Sequence, residues 1–330
     1  MSQLVGVDEP TAERVATAVE QLMPDTGPVR PVSVLRKGRS HASWVLDSAV
    51  GPLVGKVLLC GDRDVVRRRI AEHQRVWECG VPVPRVLGVT RSSPAAGGRL
   101  LIVSQYRSGQ DAQDAAATVS ATAVEEVMRA TGAALNQLHQ VPVPAFGDQA
   151  SGLFPGPRTW SAVVDARVEL LHSAYRDHDP GVSDGVIEAG LTLLAELATE
   201  VSPVVRAGTA HLDLYLPNIL CDPDGRFLML LDMEHLRWVD PVMDFVKPAM
   251  WMFDGQPGWA EAFVDGYRSA GAWPDRWSQR LAVASGWELL TGVDYWSRVR
   301  DTAMREDYLR RLRAWVRSDG AGHVWPQGVR

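Results

Sequence analysis

Ala210-His211-Leu212-Asp213-Leu214-Tyr215-Leu216-Pro217-Asn218-Ile219-Leu220 sets an aspartate and an asparagine five residues apart in a short break between apolar runs. Fourteen residues past Asn218, beyond the turn Asp222-Pro223-Asp224-Gly225, the apolar run Phe227 to Leu231 ends in Asp232, Met233, Glu234 and His235. Two short strands joined by a tight turn bring the end of the second strand back beside the start of the first. The spacing therefore predicts that Asp213, Asn218 and Asp232 converge on one site.

That trio suits phosphoryl transfer. A nucleoside triphosphate carries several negative charges, and Mg2+ screens them through hard oxygen ligands, one or two of them protein carboxylates. Asp232 and the amide oxygen of Asn218 are ligands of that kind. Asp213 is left to orient an acceptor hydroxyl and take its proton, a role worth about 10²–10⁴-fold in rate. The Asp–Asn spacing is also that of the catalytic loop in kinases. Mg2+ and ATP or GTP are thus the expected cofactor and co-substrate.

Outward from this segment, the chain divides into two regimes. Residues 9–23 carry Val15, Ala18, Val19 and Leu22 at helical spacing after a Pro10-Thr11 start. Strands are expected at 31–35, 43–46, 52–59, 85–89 and 100–103. A helix over 62–78 is ended by Gly80, Pro82 and Pro84. Beyond Asp111 the pattern is helical except for the strand pair around 218–231. The expected organisation is a nucleotide-binding lobe over 1–104, a hinge over 105–110 and a helical lobe over 111–330.

Bulk properties narrow the class. The 330 residues are 46% hydrophobic and 22% charged with a net charge of −6, an ordinary globular composition without the basic excess of a nucleic-acid-binding protein. Cys60, Cys79 and Cys221 lack metal-ligand spacing and read as free thiols of a reducing compartment. The N-terminus has no secretory pattern and no apolar run is long enough to span a bilayer. A cytoplasmic protein is expected, monomeric or homodimeric, with neither nucleic acid nor membrane as partner.

The loop at 211–218 resembles that of the aminoglycoside phosphotransferase family, itself similar to choline kinases and, more distantly, protein kinases. The family pattern His-Gly-Asp-Leu-His-x-x-Asn is matched except that Leu212 stands for the glycine and Tyr215 for the second histidine. Leu135-Asn136-Gln137-Leu138-His139, Gly80-Val81-Pro82-Val83-Pro84 and Asp240-Pro241-Val242-Met243-Asp244 also resemble family segments. The resemblance implies an α+β, bilobal protein-kinase-like fold: a small N-terminal lobe with an antiparallel sheet and one helix, and a large, mainly helical C-terminal lobe. It implies that Asp213 is the base, that Asn218 and Asp232 hold metal, and that His211 and Asp244 support the catalytic loop.

On the nucleotide side it implies that Lys56, within the apolar run Val54-Gly55-Lys56-Val57-Leu58, meets the α and β phosphates. Glu72 is the expected carboxylate partner of Lys56. Gly38, Ser40 and His41 lie in the loop over the phosphates, and Gln105 and Tyr106 in the segment that meets the base. The acceptor is expected to be a hydroxyl-bearing small molecule. Tyr215, Glu234, Asp254, Glu288, Asp294 and Trp296 are the candidate lining residues, and acidic groups among aromatics would suit a cationic one. The function expected is O-phosphorylation of an antibiotic, for resistance or self-protection. A metabolic kinase for a sugar, choline-like amine or amino alcohol and a nucleotide-binding pseudoenzyme are the alternatives.

Overall fold

The computed structural model describes residues 10–35, 41–147, 156–177, 185–321 and 325. Its N-terminal part opens with α1 (Ala12–Leu22), followed by β1 (Arg30–Leu35), β2 (His41–Asp47), β3 (Leu53–Leu58), α2 (Arg63–Glu78), β4 (Val86–Ser93) and β5 (Arg99–Gln105). The five strands form one antiparallel sheet in the order β1-β2-β3-β5-β4. Both faces are covered. Val15 and Val19 of α1 pack with Leu46, Leu53, Val57 and Val103, and Ile70 of α2 packs with Leu58, Val86, Leu100 and Ile102.

Strand alternation sorts the side chains of β3. Leu53 and Val57 join the α1 cluster, so the intervening Val54 and Lys56 point to the opposite face. β2 pairs with β3 so that Ser43 sits opposite Lys56 and His41 opposite Leu58, placing both beside the lysine. Asp62 starts α2 by accepting from the Asp64 and Val65 amides, and Gly80, at φ 84°, carries the chain away from its C-terminus.

The chain then continues through β6 (Gln110–Asp111), α3 (Ala112–Ala116), α4 (Ala121–His139), α5 (Trp160–Asp177) and α6 (Val186–Val201). Next come β7 (Gly208–Ala210), β8 (Ile219–Cys221), β9 (Phe227–Leu230) and β10 (Arg237–Val239). The helices α7 (Val246–Trp251), α8 (Pro257–Ala270), α9 (Trp277–Val299) and α10 (Thr302–Arg317) complete it. The expected hairpin is β8–β9, with β6 along its outer edge. A second short pair, β7–β10, was not foreseen: three residues each carry too little alternation to be recognised. It brings the strand entering the catalytic loop against the strand leaving the Asp232 segment. Among the described residues no helix is long and apolar enough to cross a membrane.

Two close approaches hold the helical part together. α4 and α8 touch backbone to backbone where a Cβ on Gly132 would lie 2.0 Å from the Phe263 carbonyl oxygen and one on Gly266 1.8 Å from that of Arg129. At the heart of the molecule, Arg280 of α9 donates through Nε to Asp240 Oδ2 at 3.0 Å, and its Nη2 donates at 2.5 Å to Oδ1 of the same carboxylate. Both partners are buried, so breaking this pair would strand a charge. Gly132→Ala is expected to cost about 2–3 kcal/mol through forced separation of α4 and α8, lowering Tm by several degrees. Gly258→Ala, where only the mobile end of Glu125 is near, should leave Tm unchanged. Equal melting of the two variants in calorimetry would contradict this packing.

Candidate active site

Asp244 organises the loop that carries Asp213. It lies in a short 3-10 turn, Pro241–Phe245, and is almost fully buried. Its Oδ2 accepts from the His211 amide at 2.7 Å and its Oδ1 from the Leu212 amide at 2.6 Å. His139 Nε2 donates to Oδ2 at 2.9 Å, and the Tyr267 hydroxyl lies 2.8 Å from the other ring nitrogen. His211 works in the opposite direction. Its Nε2 donates to the Leu231 carbonyl at 2.8 Å and its Nδ1 accepts from the Asp213 amide at 3.2 Å. The loop is thus tied on one side to α4 and on the other to the end of β9.

Leu212 has φ 62°, in the left-handed region that suits glycine. This is one of the two positions at which the sequence departs from the family pattern. The strain, of order 1–2 kcal/mol, is borne because the Asp244 carboxylate receives the Leu212 amide in that conformation.

Asn218 and Asp232 meet as the hairpin requires. The Asn218 side chain donates to the Asp213 carbonyl at 2.8 Å and to Asp213 Oδ2 at 3.2 Å, which turns its amide oxygen away from Asp213. The Leu231 amide donates to the Asn218 carbonyl at 2.8 Å, setting Asp232 next to it. Asp232 has φ 60° and precedes a 3-10 turn, Met233–His235. Burial pushes the Asp232 carboxyl above its usual range, against the pull of Lys56.

Above them lies a cavity of about 470 Å³. Val54, Val86 and Ile102 close it from the sheet, and Leu220, Met229 and Leu231 from the hairpin. His41, Lys56, Gln105, Tyr106, Asn218, Asp232 and Glu234 all line it. Lys56 lies 3.9 Å from Asp232 Oδ1 and forms a direct ion pair with Glu234, which His41 Nδ1 approaches at 3.2 Å. Burial raises the Glu234 carboxyl but Lys56 and His41 outweigh it, leaving its pKa lowered. Burial and the Lys56 charge hold His41 down at about 4, so it is a neutral ring near pH 7.

The expected partnership of Lys56 with Glu72 is not formed. Glu72 lies about 200° round α2 from the cavity-facing Ile70. There it accepts from Trp238 Nε1 at 2.9 Å and is gripped by Arg75, tying α2 to β10. Glu234 takes its place at the lysine. Gly38 and Ser40 fall outside the described residues.

Of the acceptor-side candidates, Tyr215 stands in the catalytic loop, where burial and the Asp213 charge raise its pKa. Glu288 accepts from the Tyr308 hydroxyl at 3.1 Å, and burial raises its carboxyl despite Lys247. Asp294 is buried and held by Arg298 at 2.8 Å. Trp296 is half-buried, its ring 6.5 Å from that of Tyr308. Asp254 does not join them. It is exposed in the turn leading to α8, a helix that packs on α4.

Lys247 is the residue that the sequence reading missed. From α7 its Nζ donates to Asp213 Oδ1 at 2.5 Å. Burial lowers its pKa, but Glu288 and then Asp213 outweigh that and raise it. The signal was present in Phe245-Val246-Lys247-Pro248-Ala249-Met250, a lysine within an apolar run, the same feature that singled out Lys56.

Leu212→Val puts a β-branched side chain at positive φ, where it is a genuine outlier. It is expected to lower turnover more than about tenfold, while Leu212→Gly stays within a few-fold of the parent. Steady-state kinetics on both variants decides it, and comparable losses in the two would refute the role given to this backbone strain.

The family model described as phosphotransferase enzyme family matches residues 31–277. No curated protein matches the chain. Among solved structures, a thermostable mutant of aminoglycoside phosphotransferase APH(4)-Ia in ternary complex with AMP-PNP and hygromycin B superposes with TM-score 0.68 at 18% identity, covering 93% of this chain and 99% of that one. A putative aminoglycoside phosphotransferase from Ralstonia eutropha JMP134 gives 0.66 at 16% identity over 94% and 98% of the two chains. The GDP complex of wild-type aminoglycoside 2'-phosphotransferase-IIIa gives 0.61 at 16% identity over 94% and 99%. With three quarters of its length covered by the family model and its fold shared with these structures, the chain belongs to the phosphotransferase enzyme family and is a small-molecule phosphotransferase of kinase-like fold.

Proposed function

We propose that the enzyme moves the γ-phosphoryl group of ATP or GTP to a hydroxyl of an antibiotic, with Asp213 as the base. The observation that carries this reading is the convergence of Asp213, Asn218, Asp232 and Lys56 at the mouth of one apolar-walled cavity. The nucleobase occupies the slot between Val54, Ile102 and Leu220, beside the Gln105–Tyr106 backbone. Lys56 leaves Glu234 to meet the phosphates, since a triphosphate offers it a stronger anionic partner than one carboxylate. The acceptor oxygen attacks the γ-phosphorus while its proton passes to Asp213, and the bond from that phosphorus to the bridging oxygen breaks as nucleoside diphosphate leaves.

The donors at Asn218 and Asp232 fit a magnesium ion. One carboxylate and one amide oxygen leave the remaining positions to phosphate and water, as this ion prefers. The raised pKa of Asp232 agrees, because a divalent cation would replace the proton that desolvation favours. Magnesium, when bound, screens the phosphate charges. Lys247 fixes the Asp213 carboxylate in direction for the acceptor.

The antibiotic acceptor is supported by the family and by the neighbouring structure that holds hygromycin B. Cys60, Cys79 and Cys221 are free, in keeping with a cytoplasmic role in resistance or self-protection. A coupled nucleotide-consumption screen against antibiotics and small metabolites tests it, with Asp213→Ala expected to lose at least about 10²-fold in kcat. Protection of a susceptible host by the parent gene and not by the variant is the expected outcome. Turnover of metabolites alone would replace antibiotic with metabolic acceptor. Proton and metal compete for Asp232, so metal–nucleotide binding should strengthen as pH rises through its raised pKa. Calorimetric titrations check this, and the trend should vanish in Asp232→Asn. A pH-independent Kd in the parent would remove Asp232 from the metal site.

A further inference from the structure

Beyond Lys247, the molecule presents an aromatic floor. Lys247 and Trp251 are four residues apart on α7 and share a face, as do Glu288, Gly292 and Trp296 on α9. Tyr308 of α10 lies across Gly292, where a Cβ would come within 1.9 Å of its ring. Its hydroxyl reaches Glu288. The rings of Trp251 and Trp296 flank Tyr308 at 6.4 and 6.5 Å, and Tyr295 stands edge-on to Trp296 at 4.8 Å. Trp251 is 40% exposed and Tyr295 43%, an unusual display of large rings. The floor begins at the ammonium that holds Asp213.

Its charges are already balanced. Asp213 has Lys247, Asp294 has Arg298, and Glu288 accepts from the Tyr308 hydroxyl within the field of Lys247 and Arg167. Arg167 in turn lies over the Trp287 ring and donates to Thr291. Each of these three carboxylates is therefore already bonded to a partner. The acidic residues Asp254, Glu261 and Asp265 are exposed on the segment that packs on α4. A polyamine entering here would have to break existing pairs to form new ones. A neutral ring would gain stacking and apolar contact without disturbing any of them.

We infer that the acceptor is an uncharged, ring-bearing alcohol that stacks on the accessible Trp251 and Trp296 rings with its hydroxyl at Asp213, in preference to a polycationic amino sugar. This rests on the phosphotransferase reading above and narrows its substrate class. Glu288 sets the register, since its contact with the buried Tyr308 fixes the ring packed between Trp251 and Trp296.

The test uses the full chain loaded with magnesium and a non-hydrolysable ATP analogue, titrated with 4-nitrophenyl β-D-glucopyranoside, chloramphenicol and kanamycin at low and high salt. The uncharged probes are expected to bind with a Kd constant to about twofold across salt, since no charge is screened. Trp251→Ala and Trp296→Ala should each weaken them about fivefold, with the Kd for the ATP analogue reporting that the variants are folded. Three results would overturn the inference: neither uncharged probe binding at millimolar concentration, kanamycin binding more tightly than both with a Kd that rises steeply with salt, or the tryptophan variants binding like the parent. Failure of the parent to bind the ATP analogue would instead sink the phosphotransferase reading itself, so the two failures are distinguishable.

Discussion

The Asp244 carboxylate receives two consecutive backbone amides, those of His211 and Leu212, and is itself pinned by His139. Everything chemical in the molecule is placed from there. A buried carboxylate is costly to strip of water, and full hydrogen bonding is what makes it tolerable. The same bonds hold Leu212 in a left-handed conformation and aim Asp213 across the cleft at Lys247. From the far side, His211 fixes the distance between the catalytic loop and the end of β9, and thereby the position of Asp232. Asp240 repeats the device at the start of the same turn, where its bidentate bond to Arg280 anchors the segment that carries Asp244.

The division of charge in the cleft follows from that frame. On the nucleotide side Lys56, His41, Asp232 and Glu234 form one group in which the lysine has two carboxylates within reach. One of these is free to turn to metal when the lysine turns to phosphate. On the acceptor side Lys247 is shared between Asp213 and Glu288. The two lysines thus flank the line along which the phosphoryl group would pass. Each is held on a regular element, β3 and α7, and neither depends on a loop for its position.

Much of this was legible in the sequence, for identifiable reasons. Strands, the α2 boundaries and the catalytic hairpin follow from alternation, capping and turn residues that act locally. The convergence of Asp213, Asn218 and Asp232 follows from hairpin length. Glu72 was misplaced because the choice of a partner for Lys56 depends on helix phase relative to a distant tryptophan, Trp238, which no local pattern encodes. Glu234 could be seen to lie near the expected metal ligands, yet its ion pair with Lys56 arises only when the sheet closes over the hairpin. Asp254 looked equivalent to Glu288 as an acid among aromatics. The packing of α8 on α4 separates them, and that packing is set by Gly132 and Gly266, whose significance is invisible until the helices are paired.

The central claim is that this cleft transfers a phosphoryl group to a hydroxyl with Asp213 as the base. The most direct measurement is phosphorus-31 NMR of the enzyme with ATP, magnesium and an accepted hydroxyl compound. A phosphomonoester resonance should grow in step with ADP, at a rate that falls at least about 10²-fold in Asp213→Ala. Release of inorganic phosphate alone, or ester formation at the parent rate in the variant, would contradict the account.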